Sequence, residues 1–267
     1  MKKILFVLMG AALFVNQSCS RAQDASPSEM SIESVSSATG EKVLIRLKPK
    51  VGDTQKTLMT MDMNSQGAQS ISMNMTANMD MKVTGKEGDV YDYELKYNSI
   101  KMNMNAGGME MNYDSQATEH TGMGAILHEQ MKEFFTKPIV MKMNERGKIS
   151  EFQLPGNMGS QQMGDMGSMS IPMPEEPVGE GDSWSAERPL EGAGIMKMNM
   201  KLEKVTVSDI IIGTTGDIQD DAGNKIGGFS GDYKLDRNSG LTKDGTMNLD
   251  MNVEGQPMKM TVNFKAI

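Results

Sequence analysis

The sequence predicts an all-β protein carrying one helix, and three features predict it. First, apolar and polar residues alternate strictly over stretches such as ISMNMTANMDMKV, residues 71–83. There Ile71, Met73, Met75, Ala77, Met79, Met81 and Val83 interleave with Ser72, Asn74, Thr76, Asn78, Asp80 and Lys82. A two-residue period belongs to a strand with one dry face and one wet face. Second, Gly-centred turn signals separate these stretches at short intervals. Third, one segment alone, 122–136, repeats its apolar residues at the spacing of a helix. The dry face is unusual in being built from methionine, of which the chain holds 30, although strands do not specially favour that residue.

The chain opens MKKILFVLMGAALFVNQSCS. Lys2 and Lys3 precede an apolar run of twelve residues, Ile4 to Val15. The run is too short for a bilayer span and has the build of a secretory signal. Cys19, the only cysteine, follows directly. A lone cysteine in an exported chain makes no internal disulfide, and its place here predicts a lipoprotein signal cleaved before Cys19. Asn16 and Gln17 depart from the usual small-residue run before such a cysteine. Ordinary cleavage after Ala22, behind Ser20-Arg21, is the alternative. The expected organisation is a signal over 1–18, a lipidated flexible tether over 19–41, and a body beyond it. Several acyl chains on Cys19 would give stable membrane anchoring, which places the protein in the cell envelope, at the outer membrane of a Gram-negative bacterium.

Loss of Lys2 and Lys3 with the signal takes the formal charge from −8 to −10. So acidic a chain repels phosphate backbones, which argues against nucleic acid as a partner. No later apolar run approaches membrane-spanning length. Without disulfides, burial must hold the body together.

The first β unit is expected over 42–154. Val43 to Ile45, alternating with Arg46 and Lys48, predict its first strand, and Lys50-Val51-Gly52-Asp53 predict the turn after it. Met59, Met61 and Met63 mark a second strand, and residues 71–83 its partner. Beyond the turn Lys86-Glu87-Gly88-Asp89 stand Tyr91, Tyr93, Leu95 and Tyr97. At Asn98-Ser99-Ile100 the apolar set moves from odd to even numbers and continues as Met102 and Met104, the mark of a β-bulge. Ala106-Gly107-Gly108 signals a hairpin into Met109, Met111 and Tyr113. Met123, Ile126, Leu127, Met131, Phe134 and Phe135 then predict an amphipathic helix, 122–136, on the apolar face, stopped by Pro138. Strand Ile139–Met143 and turn Asn144–Gly147 close the unit.

Residues 155–180 form a Met/Gly/Pro-rich stretch without period and are expected to be a linker. A second unit, 181–267, repeats earlier landmarks. Gly181-Asp182 matches Gly52-Asp53, Lys204-Val205-Thr206 matches Lys82-Val83-Thr84, and Asp236 to Gly240 matches Asn144 to Gly147. Met196, Met198, Met200 and Leu202 form an alternating strand. The end is a hairpin: Met247, Leu249, Met251 and Val253, then Met258, Met260, Val262 and Phe264. The expected architecture is two related, curved antiparallel units, similar to an open-barrel lipoprotein carrier.

The segments YNSIKMNM, MNYDS, MNERGKISEF, PEEPVGEGDSW and GDYKLDRNSGL resemble a family of uncharacterised envelope proteins of Bacteroidetes-type bacteria. That family is described only as a domain of unknown function. The resemblance runs over about residues 43–267. It implies a β-rich secreted body with a lipidated cysteine and supplies no catalytic residues.

Catalysis has little to draw on. His120 and His128 are the only histidines. They lie in or beside the helix, and surface positions are expected for both. No nucleophile elbow, phosphate loop or dinucleotide fingerprint appears. Asp217, Asp220 and Asp221 before Gly223-Asn224 lack the alternating ligands of a calcium loop and read as a hairpin turn. No enzyme and no cofactor is expected. The sequence therefore predicts a non-catalytic envelope lipoprotein that is structural or binds a lipid or other apolar ligand or partner. Its apolar face comprises Met59, Met61, Met63, Met73, Met75, Met79, Met81, Met102, Met104, Met196, Met198 and Met200. Met is soft enough to re-pack around varied apolar surfaces. The alternative is a periplasmic Cu(I)-binding protein, because thioethers select that ion. It would use Met-x-Met pairs and the loop residues Met158, Met163, Met166, Met169 and Met173. A sink for oxidants through methionine sulfoxide is a third use of the same sulfurs.

The anchor is tested by Cys19→Ser. The variant should move from the membrane to the soluble fraction on cell fractionation. Unchanged retention, with no acyl mass on the N-terminal peptide, would refute lipidation.

Overall fold

The computed structural model describes residues 32–35, 40, 42–66, 70–155, 171–190, 194–253 and 256–267. The calls on Cys19 and on most of the predicted tether fall outside them. The first seven strands are β1 (Ile32–Val35), β2 (Thr54–Ser65), β3 (Ile71–Glu87), β4 (Val90–Ala106), β5 (Met109–Asp114), β6 (Ile139–Asn144) and β7 (Ile149–Gln153). The remaining six are β8 (Ser183–Leu190), β9 (Gly194–Val205), β10 (Asp209–Gln219), β11 (Lys225–Asp236), β12 (Thr242–Val253) and β13 (Gln256–Ala266). Helix α1, Gly122–Thr136, has the predicted bounds.

All thirteen strands form one antiparallel sheet in the order β1-β8-β9-β10-β11-β12-β13-β2-β3-β4-β6-β7, with β5 also on β4. The order ends at β1 and β7, so the sheet is open rather than closed into a barrel. Strands from both predicted units join through the β13–β2 pairing, where Met260 stands opposite Met63. A sheet this wide curls on itself. One core cluster accordingly takes Tyr91, Tyr93 and Met143 from one end of the order and Trp184, Met200, Leu202 and Ile212 from the other.

Two segments close that end of the curl. Val43 pairs with Val178 as an isolated bridge, so the predicted first strand is an extended strap instead. Its partners are turns: Leu47 N–H donates to Glu145 O and Lys48 N–H to Ser239 O, both at 2.7 Å. Ile45 and Leu47 point into the core. Arg46 Nη1 donates to Pro174 O and Nη2 to Glu175 O, each at 2.6 Å. Trp184 Nε1 donates to Pro172 O at 2.7 Å. Residues 171–174, expected within a linker, are thus buried parts of the core. Likewise Ile32–Val35, expected within the tether, adds to the sheet beside β8.

The Gly-Asp landmarks adopt one conformation twice. Gly52 and Gly181 both have positive φ, 98° and 91°, a region in which only glycine is unstrained. Gly52 N–H donates to Val83 O and Gly181 N–H to Leu202 O. Lys50 N–H donates to Asp53 Oδ2, and Gly179 N–H to Asp182 Oδ2, both at 2.8 Å. Leu202, rather than Val205, is therefore the counterpart of Val83. The turns at 144–147 and 236–240 repeat too: Glu145 N–H donates to Asp89 O, and Arg237 N–H to Ser208 O.

The expected bulge is present. Asn78 faces Ser99 and Met79 faces Tyr97, leaving Asn98 unpaired on β4. By this slip Tyr97 and Ile100 both stay on the inner face.

Burial keeps several phenols neutral. It raises Tyr93, with the neighbouring Tyr91 adding, and also Tyr97 and Tyr233. Tyr113 is pushed up to about 12 by burial and then by Asp114. A raised folded-state pKa means that stability is full below the unfolded value, about 10, and falls as pH climbs from there. Near pH 11 the native protein should therefore show fewer phenolates by ultraviolet absorbance than the denatured chain with its five tyrosines. Coincident titration curves would contradict the burial of these rings.

The two faces of β3 give a second test. Met73 is 1% exposed and its neighbour Ser72 faces solvent. Met73→Lys buries an unpaired ammonium and should cost on the order of 3 kcal/mol or more. Ser72→Lys should change the melting temperature little. Equal losses would overturn the strand's orientation.

Candidate ligand-binding face

Register converts the alternation of each strand into rows that cross ten strands. One row runs Ala186, Met198, Gly216, Phe229, Leu249, Met260, Met63, Met73, Met104, Met111. The next runs Trp184, Met200, Thr214, Gly231, Met247, Val262, Met61, Met75, Met102, Tyr113. Directly opposed side chains on one face lie about 5 Å apart at Cβ. Met63, Met73 and Met104 against Met61, Met75 and Met102 therefore form a block of neighbouring thioethers two residues deep and three strands wide. A leucine layer would be branched and stiffer, whereas Met has three rotatable bonds and fills irregular space.

All twelve predicted face residues lie at inward positions of β2, β3, β4 and β9. Met75, Met81 and Met196 are partly buried and the other nine buried. The rows also include Met111, Met247 and Met260, which alternation in their own strands signals but which only pairing brings beside the others. Toward β10–β12 the face thins at Gly216, Gly227, Gly231 and Gly245. The Phe229 ring lies over Gly216, where a Cβ would come within 2.4 Å of it.

Helix α1 covers the methionine-rich end. Leu127, Met131 and Phe134 are buried, with Leu127 and Met131 in the cluster formed by the rows. The Phe134 ring meets Tyr97 edge-on at 6.3 Å. Met123 and Ile126, which the spacing also assigned to the apolar side, are 45% and 51% exposed. The helix has no side-chain cap at Thr121.

Its histidines are not simple surface residues. Both are partly buried, and their rings stack at 3.8 Å between centroids although His120 precedes the helix. Tyr113 Oη and His128 Nδ1 lie 3.1 Å apart in a hydrogen bond. This trio ties α1 to β5 beside a cleft of about 360 Å³ that Lys101, Asp114 and Glu119 also line. Their spacing of eight shows in the sequence, but Tyr113 joins them only through the β5–α1 connection.

The acidic turn folds as expected. Asp220 Oδ1 accepts from Ala222 and Asn224 N–H. Hydrogen bonds from Asn224 hold the Asp220 carboxyl below its ordinary range. Among the described residues no three of His, Cys, Asp and Glu gather as a metal-binding group. Of the loop methionines, Met158, Met163, Met166 and Met169 lie outside the described residues. Met173 is buried in the core beside Trp184. No helix among the described residues is long and apolar enough to cross a membrane.

No curated protein matches the chain in sequence. A solved structure described as lipid–protein interactions in lipovitellin shares the fold, with a TM-score of 0.51 at 9% identity over 82% of this chain. The chain spans 25% of that protein's length. Two looser likenesses cover most of both chains at 10% identity. One is a β-barrel-like protein of domain of unknown function DUF1849 from Brucella abortus, TM-score 0.25, covering 82% of this chain and 100% of that one. The other is a putative outer membrane lipoprotein-sorting protein domain from Vibrio parahaemolyticus, TM-score 0.19, covering 79% and 85%. Residues 88–154, which contain YNSIKMNM, MNYDS and MNERGKISEF, match the model of a family of unknown function, DUF6263, the kind of family to which the sequence resemblance points.

Proposed function

We propose that the protein is a non-catalytic, lipid-anchored component of a bacterial cell envelope. It holds an apolar ligand against the methionine rows of its inner face. The observation that carries this reading is the block of Met61, Met63, Met73, Met75, Met102 and Met104 lying at one end of the sheet, in the cluster that α1 packs on. These side chains fill their own space, so a ligand enters by displacing them and the helix. Unbranched thioethers re-pack at low cost, and α1 is attached by one short apolar stripe and the Tyr113–His128 bond. The fold shared with a protein described by its lipid interactions is in keeping with this use. Cys19 would fix the body to the membrane that supplies the ligand.

A second reading rests on the same block. Thioethers select Cu(I), and Met63, Met73 and Met104 stand opposite one another on adjacent strands, about 5 Å apart at Cβ from one to the next.

One set of variants separates the two. Replacing Met73, Met75, Met102 and Met104 with leucine conserves volume and should leave the fold intact. A fluorescent fatty acid should bind the parent at defined stoichiometry and bind the leucine variant more weakly, because branched side chains re-pack less readily around a guest. Met75→Glu, which places a charge on the partly open position, should weaken the binding by about tenfold. Cu(I) competition titration should show no tight site. Tight copper binding lost in the leucine variant, with no fatty-acid binding, would replace the first reading by the second.

A further inference from the structure

Arg188 is one of two charged residues at inward strand positions among the described residues, and it is partly buried; Asp182, buried in the turn before β8, is instead held by the Gly179 N–H. Arg188 stands on β8 two positions beyond Ala186 and four beyond Trp184, both buried, and so shares their inward direction. The other charge with an inward register, Lys86, is exposed at the far end of β3, over the Tyr91 ring. Opposite Arg188 is Met196, and the row continues through Ile218, Gly227, Met251 and Met258. Ile218, Met251 and Met258 belong to the same core cluster as Leu127 and Met131 of α1, and Met196 packs against it. The guanidinium therefore sits two residues from the end of β8, at one edge of the methionine-rich field.

Placing a cation on an apolar face is costly, and Met or Leu would satisfy the alternation of Trp184 and Ala186 equally well. Burial lowers the Arg188 pKa to about 10, which leaves it charged at neutral pH. It already has an interaction within the chain. Five N–H donors in a planar fork can serve more than one acceptor, and they match the two oxygens of a carboxylate or phosphate. A soft apolar field with one fixed cation at its margin has the complementarity of a molecule with a long apolar tail and an anionic head.

We propose that Arg188 contacts the head group of an anionic amphiphile, a fatty-acid carboxylate or a lipid phosphate, whose tail lies along the methionine rows. The proposal rests on the apolar-ligand reading above and specifies the class of ligand. Palmitate and its methyl ester share a tail and differ in the charge, so together they isolate the head-group contact. The parent should bind palmitate more tightly than the ester by about tenfold or more, as expected for a charge-assisted pair. Arg188→Leu should bring palmitate down to the affinity of the ester and leave the ester unchanged. Arg188→Lys should retain part of the preference, and because it keeps the cation it also checks that the site still folds. Hexadecyl phosphate should compete with palmitate, whereas inorganic phosphate at equal concentration should not, which shows that the anion is recognised as part of an amphiphile. Equal binding of palmitate and ester by the parent, or a preference that survives Arg188→Leu, would overturn the role of Arg188 while leaving the apolar site standing. Competition by inorganic phosphate alone would assign Arg188 to a free anion and overturn the amphiphile. Binding of neither probe to the folded parent would overturn both readings.

Discussion

The fold depends on one constraint: ten strands must keep the same parity of inward residues from β8 round to β5. A slip of one residue in any strand would turn its whole apolar set outward. The sheet is long enough for twist to spoil this register, and bulges restore it. Asn98 on β4, Glu203 on β9 and Ile226 on β11 each stand where the pairing shifts, so that the next apolar residue again points inward. The methionine rows lie on one side of these shifts, and the bulges carry the same inward parity on to the far stretch of each strand.

The two ends of that inner face differ in chemistry. At one end Trp184, Tyr91, Tyr93, Ile45 and Leu47 make a core of rings and branched chains. It is locked by main-chain hydrogen bonds from the 43–48 strap and by the Arg46 fork on Pro174 and Glu175. Shape and fixed polar partners give that end a single packing. At the other end thioethers lie in rows under a single helix, with one short buried stripe and a Tyr–His bond to hold it. A fixed packing at one end and a softer one at the other would suit the proposed admission of an apolar guest without loss of the fold.

The repeat explains where the helix comes from. The Gly-Asp turn, strands β2, β3, β4 and β6 and the turn at 144–147 have counterparts in the second Gly-Asp turn, strands β8 to β11 and the turn at 236–240, with the same backbone bonds at each landmark. What distinguishes the first copy is the flank of β4. Its first half pairs with β6 and its second half with β5. The chain between those two short strands has to cross from one to the other, and α1 is that crossing. Its apolar stripe is thereby laid on the methionine end of the sheet. The second copy continues instead into β12 and β13, which join it to β2.

The sequence by itself determined the all-β class, the positions of most strands, the bulge at Asn98, the helix bounds and the identity of the inward methionines. All of these are set by local periods and by turn residues, which act within a few positions of one another. Tertiary structure decided the rest. Val43 to Leu47 alternates like a strand yet serves as a strap, because its backbone meets turns from 145 and 239 and finds no strand edge. Residues 171–174 read as linker yet are buried, because Trp184 and Arg46 fix their carbonyls. Arg188 is polar by type, and only its parity with Trp184 and Ala186 shows that it points inward. Tyr113, His120 and His128 meet only once α1 packs over β5. Alternation tells a strand which way its side chains point, but partners across the sheet are chosen by pairing between residues up to two hundred positions apart, as Met63 and Met260 show.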